Sequence, residues 1–148
     1  MKIIEQEEVR KLLQPKDCIQ LMAEALKGLE SGEYAQPARL ITVMPNTAKF
    51  GFMPAYVGDY FGAKVISAFA PNMGTKYPSH IGYVMLFESA HSTVAGMIEA
   101  GSITEIRTGA VSAAATDLLA RKDSHKLALI GAGAQARSHL AAIREIRD

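Results

Sequence analysis

Lys126-Leu127-Ala128-Leu129-Ile130-Gly131-Ala132-Gly133-Ala134-Gln135-Ala136 is the stretch that decides the fold. A short apolar run over 126–130 enters a glycine-rich turn, and a helical pattern follows through Leu140, Ile143 and Ile146. Strand, G-x-G-x-x-A, helix is the opening of a βαβ unit and the fingerprint of a dinucleotide-binding Rossmann fold. Gly131 allows the tight turn off the strand, Gly133 lets the backbone approach a pyrophosphate, and Ala136 lets helix pack closely on strand. The phosphate would sit at the positive end of the helix beginning near Ala134. Taken alone the motif is weak, because a glycine-rich turn between strand and helix is also ordinary packing. The acid or base about 20 positions on, which separates NAD from NADP, falls past Asp148, so that choice stays open.

Upstream, the period changes twice. Ile4, Val9, Leu12 and Leu13 predict one helix ended by Pro15. A second helix starts at Pro15 to Asp17 with a core-facing stripe of Ile19, Leu21, Met22, Ala25, Leu26 and Leu29. From Pro37 the pattern is of strands: 40–44, 50–57, 62–69, 81–87 and 93–98, separated by turn residues and forming a mostly antiparallel sheet. Residues 102–121 return to helical spacing, with Ser102 and Glu105 as a capping box and an alanine-rich middle that admits a close neighbour. The expected fold class is α/β: a helix-plus-antiparallel-sheet domain over residues 1–124, then the first strand, loop and helix of a Rossmann domain over 125–148. Seventeen residues follow Gly131, enough for one helix of about 25 Å but not for further parallel strands. The chain is therefore expected to be a fragment of, or a truncated form of, a longer protein.

Composition narrows the class. The 148 residues are 49% hydrophobic and 21% charged with a formal net charge of +1, which predicts a soluble globular chain and argues against a nucleic-acid surface. The longest uncharged runs, 65–75 and 77–87, are far shorter than the roughly 20 residues of a membrane span, and the acidic N-terminus does not read as a secretory leader. One cysteine, Cys18, permits no internal disulfide and fits a reducing cytoplasm. His80, His91, His125 and His139 lack metal-ligand spacing, so no metal is expected.

Five ordered motifs carry a family resemblance: Met53-Pro54-Ala55-Tyr56; Gly62-Ala63-Lys64-Val65; Tyr77-Pro78-Ser79-His80; 104–110 with Leu119-Ala120-Arg121; and 131–136. Together they resemble the ornithine cyclodeaminase/mu-crystallin family across essentially the whole chain. The resemblance implies an NAD- or NADP-dependent enzyme that moves hydride at the α-carbon of a small amino or imino acid, working as a homodimer. The reaction would be cyclodeamination of ornithine to proline, a lyase-type outcome, or ketimine reduction and amino-acid dehydrogenation. It further implies a carboxylate-binding Arg39, a catalytic and substrate-binding Lys64, and an Arg107 that touches substrate and nucleotide phosphates. Ser79 is placed beside the cofactor, with Gly131, Gly133, Ala134 and Gln135 at its pyrophosphate. The family's catalytic aspartate falls past Asp148. Gly51 stands where ornithine cyclodeaminases generally carry an acid, which shades the reading away from ornithine.

Each residue also has a plainer reading. Arg39 is equally a surface charge beside a strand. Lys64 is equally a lysine snorkelling from a strand edge. Arg107 is equally a partner of Glu105 or Asp117 on a helix surface. Cys18 reads as a buried thiol, and His80 as structural. The competing functional class is a non-catalytic, crystallin-like protein that binds small carboxylates or a nucleotide, or an inactive fragment.

Overall fold

Residues 1–147 are described by the structure, a computed structural model; Asp148, the last residue of the expected 125–148 unit, lies outside the described residues. Six strands form one mixed sheet in the order β1-β6-β5-β4-β3-β2, comprising β1 (Lys2–Ile4), β2 (Leu40–Val43), β3 (Lys49–Val57), β4 (Tyr60–Ala68), β5 (His80–Glu88) and β6 (Val94–Glu99). Every neighbouring pair is antiparallel except β1 with β6. The helices are α1 (Gln6–Leu12), α2 (Pro15–Ser31), α3 (Ala100–Leu119) and α4 (Ala134–Ile143). This is the expected α/β class. No helix among the described residues is long and apolar enough to cross a membrane.

Three local expectations are corrected. Ile4 does not begin a helix: Lys2, Ile3 and Ile4 pair with Gly96, Met97 and Ile98, because the open edge of β6 offers backbone partners that a frayed first turn lacks. The capping box at Ser102 and Glu105 does not form. The cap is Glu99, whose carboxylate accepts from the Gly101 and Ser102 amides, so α3 starts two residues earlier. Glu105 instead binds Arg10 at 2.6 Å. Finally, the expected strand over 126–130 is not a strand. A lone segment has no ladder to join, and none of the six strands pairs with it; Ile130 is fully exposed.

Pro15 opens α2 at its first turn, where its missing N–H costs nothing, and Gly32 closes the helix at φ +79°. The stripe expected to seal a core is only partly covered. Leu21 and Leu26 are each half exposed, while Cys18 and Gly28 are the buried residues of α2.

The packing centre is α3, which touches α2, α4 and β5. Its small residues make this possible, since Gly109, Ala110, Ala113 and Ala114 are all buried. At Gly109 the backbone of α4 comes so near that an added Cβ would lie 2.5 Å from the Ser138 carbonyl oxygen. A second tie lies at the C-terminal end of α3, where Arg147 Nη1 and Lys122 Nζ, each past the end of its helix, donate to Asp117 Oδ1 at 2.6 and 3.1 Å and hold that carboxyl below its usual range. Gly109→Val is therefore expected to lower stability by about 1–3 kcal/mol through overpacking, measured by thermal unfolding, whereas Leu118→Ala, at an exposed site, should change it little.

Candidate active site

Side chains alternate across β4, and Lys64 marks the helix-covered face because its Nζ donates to Thr104 Oγ1 of α3 at 3.3 Å. Its cross-strand partners on that face are Met53 of β3 and Val84 of β5. Between this part of the sheet, α2 and α3 lies a cleft of about 790 Å³. Arg39, Lys64 and Arg107 all line it. They arrive from three separate elements: the segment leading into β2, the middle of β4, and the second turn of α3.

The electrostatics follow from that convergence. Burial, then the like charges of Arg107 and Arg39, push the Lys64 ammonium below the ordinary lysine value of 10.5. Arg107 also acts on Cys18, but there burial is the larger effect and the thiol is pushed up. Three cations on one cleft are chemically suited to an anion such as a carboxylate, which a guanidinium can hold in a fixed orientation. Lys64 is half-buried and lines the cleft; Arg107 is exposed on the helix surface, as its plainer reading has it, but neither Glu105 nor Asp117 is its ion-pair partner.

The other expected site residues lie elsewhere. Ser79 immediately precedes β5, where its carbonyl accepts from the Phe69 amide and its hydroxyl meets His80 Nδ1 at 3.2 Å; it does not line the cleft. Gly131, Gly133, Ala134 and Gln135 form the turn into α4. This turn fits a pyrophosphate on two counts. Gly131 has φ +104°, and a Cβ on either glycine would meet nothing within 4 Å, so the backbone surface is open. Gly133 caps α4 with no side-chain hydrogen bond, leaving the first-turn amides free to bind an anion.

Two contacts at or beside the cleft were not anticipated from sequence. Thr104 anchors Lys64, and its three-residue spacing from Arg107 on one helix face is the signal that points to it. Ser112 and His139 join α3 to α4. His139 Nδ1 donates to the Gln135 carbonyl at 2.7 Å, so Nε2 accepts from Ser112 Oγ at 2.9 Å. No sequence signal links that pair, because its two members meet only when the helices pack.

The lowered Lys64 value has a measurable sign. The unfolded chain binds that proton more tightly than the folded one, so stability rises as pH climbs from the folded-state value toward 10.5. Lys64→Met is expected to raise the Tm at neutral pH, with the gain over the unaltered protein shrinking as pH approaches 10.5. Equal gains at every pH would show that the buried charge is not the cause.

Comparison with known proteins supplies the family. The model of the ornithine cyclodeaminase/mu-crystallin family matches residues 1–148. Ketimine reductase mu-crystallin of Mus musculus is 36% identical over 121 residues, covering 80% of this chain and 38% of that protein. Among solved structures, the Thermococcus litoralis Delta(1)-pyrroline-2-carboxylate reductase in complex with NADH and L-proline superposes with a TM-score of 0.92 at 33% identity. It covers 99% of this chain and 46% of its own. An archaeal alanine dehydrogenase dimer with bound NAD also gives 0.92, at 27% identity over 97% of this chain and 45% of its own. The chain thus spans less than half the length of these relatives. A whole-chain family match and identity above 30% over nearly all of its length agree with the cleft and the turn, and the chain belongs to the ornithine cyclodeaminase/mu-crystallin family.

Proposed function

We propose that this chain provides the substrate cleft, and the first turn of the cofactor site, of an enzyme that transfers hydride between NAD or NADP and the α-carbon of a small amino or imino acid. The convergence of Arg39, Lys64 and Arg107 on one cleft carries this reading. Residues 1–124 are the substrate and dimerisation unit, and 125–148 begin the dinucleotide-binding unit. The nicotinamide supplies the hydride chemistry when bound; Gly131, Gly133, Ala134 and Gln135 would hold its pyrophosphate through backbone amides.

The chain's own residues do the rest. Arg39 grips the substrate carboxylate, and Arg107 reaches the same group from α3, with its position on that helix also suiting it to a cofactor phosphate. Ser79 is assigned to the cofactor's edge of the site. Lys64 holds a proton at Nζ beside the reacting carbon. Its lowered affinity for that proton lets it act as donor or acceptor nearer working pH. Thr104 Oγ1 fixes where that proton is presented.

Mixing NADH or NADPH with pyrroline-2-carboxylate, or NAD with ornithine, tests the reading by loss or gain of reduced-cofactor absorbance and by ammonia release. Activity in one of these is expected. No turnover with cofactor and carboxylate both bound would favour the non-catalytic, crystallin-like alternative. Arg39→Gln is expected to lower kcat/KM about a hundredfold, roughly 3 kcal/mol, with Arg39→Lys recovering only part because a point charge cannot replace the planar fork.

The homodimer has its own support. On the sheet face opposite Lys64, Phe61 stacks on Phe87 with centroids 5.2 Å apart, and Leu40, Phe50, Phe52 and Ile81 share that face with 41–63% exposure. A continuous apolar sheet face of this kind is suited to pairing with a second copy. Phe61→Asp is expected to convert a dimer into monomers in sedimentation; an unaltered protein that is monomeric at high micromolar concentration overturns the assignment. The single buried thiol suits a reducing, cytoplasmic setting.

A further inference from the structure

Ser112 of α3 and His139 of α4 belong neither to the cationic cleft nor to the glycine turn, yet their hydrogen bonds end at that turn. They meet because the two helices cross closely one turn earlier. Gly109 lies three residues before Ser112, and a Cβ added to it would sit 3.1 Å from the His139 amide nitrogen. Both side chains are half-buried. The bonds run in one direction: Ser112 Oγ donates to His139 Nε2 at 2.9 Å, and His139 Nδ1 donates to the Gln135 carbonyl at 2.7 Å. A carbonyl has no proton to give, which fixes the tautomer of the ring. Ser138 Oγ donates to the same carbonyl at 3.1 Å.

That carbonyl is rigidly joined to an anion-facing group. The Gln135 C=O and the Ala136 N–H share one planar trans peptide, so they point in opposite directions and can only turn together. Ala136 lies in the first turn of α4, where N–H groups face out of the helix end, and the cap at Gly133 supplies no side-chain partner for them.

We propose that Ser112 and His139 are positioning residues for the nucleotide: anchored on α3, they hold the Gln135–Ala136 peptide so that the Ala136 N–H is aimed at the pyrophosphate before it arrives. This rests on the cofactor half of the proposed function and deepens it. Hydrogen bonds weaken steeply away from linearity, so a peptide free to rock gives a poorer donor. Fixing it in advance also spares the cost of ordering it on binding. Attachment of α4 to α3 has other sources, the Gly109 crossing and the Arg147 bond to Asp117 beyond the far end of α4.

Calorimetric binding of NADH to the full-length protein tests this. Ser112→Ala and His139→Asn cut the same link, since asparagine keeps a donor near the place of Nδ1 and offers nothing at Nε2. Each is expected to weaken NADH binding about tenfold, and the double variant no further than either single one. Alanine is a better helix former than serine, so Ser112→Ala leaves α3 intact. Asp117→Asn loosens the helix pair at the other end; it is expected to lower the Tm while leaving NADH affinity within about twofold. Unchanged NADH affinity in Ser112→Ala or His139→Asn, additive losses in the double variant, or an equal loss in Asp117→Asn overturns the positioning role while the cofactor reading stands. An unaltered protein that binds no NADH overturns the cofactor reading itself, and the positioning role with it.

Discussion

The middle of α3 carries almost no large side chains, and much of the molecule is arranged around that absence. Ala110 and Ala113 are completely buried, and Gly109 brings the α4 backbone within van der Waals reach. Close approach of this kind is energetically useful because contacts between small residues fill space without voids. It also fixes direction. Once α3 is held between α2, α4 and β5, its N-terminal turns must project Thr104 and Arg107 into the cleft, while Ser112 on its far side meets His139. One helix thus connects the cationic cleft with the turn that suits a pyrophosphate.

Charge is handled differently at the two ends of that connection. In the cleft, exposed Arg39 and Arg107 flank the half-buried Lys64, and no carboxylate lines it among the described residues. That costs stability, as the lowered Lys64 affinity for its proton records. Such an unbalanced cluster is what a carboxylate ligand would neutralise, and a functional site is where uncompensated charge is tolerated. Elsewhere the ionic groups are paired in the ordinary way. Arg10 meets Glu105, and Asp117 is shared by Lys122 and Arg147. The Arg10–Glu105 and Lys122–Asp117 pairs are surface contacts that contribute little individually, whereas the Arg147 side chain is largely buried at Asp117.

The candidate site was unevenly legible in the sequence. Lys64 stood out because a lysine between Ala63 and Val65 interrupts an apolar strand, and the 131–136 turn stood out because its glycines have a conformational reason. Arg39 and Arg107 have no local mark of this kind; family resemblance brought them forward. Thr104 and the Ser112–His139 clasp went unseen, since each is defined by a partner on another element. The Ser102 cap failed for a simpler reason: Glu99 offers a longer carboxylate arm that reaches two amides at once, and so claims the helix start.

By itself the sequence determined the order of helices and strands, the antiparallel character of the sheet, the glycine turn and the family, because those depend on local periodicity, backbone freedom and ordered motifs. Tertiary structure decided which charges meet, which face of the sheet stays open, and that β1 joins an edge rather than a helix. It also decided that 126–130 remains outside the ladder. Strand identity needs a hydrogen-bonding neighbour, and a catalytic constellation needs side chains brought together from distant parts of the chain. Neither condition is written in any single stretch of residues.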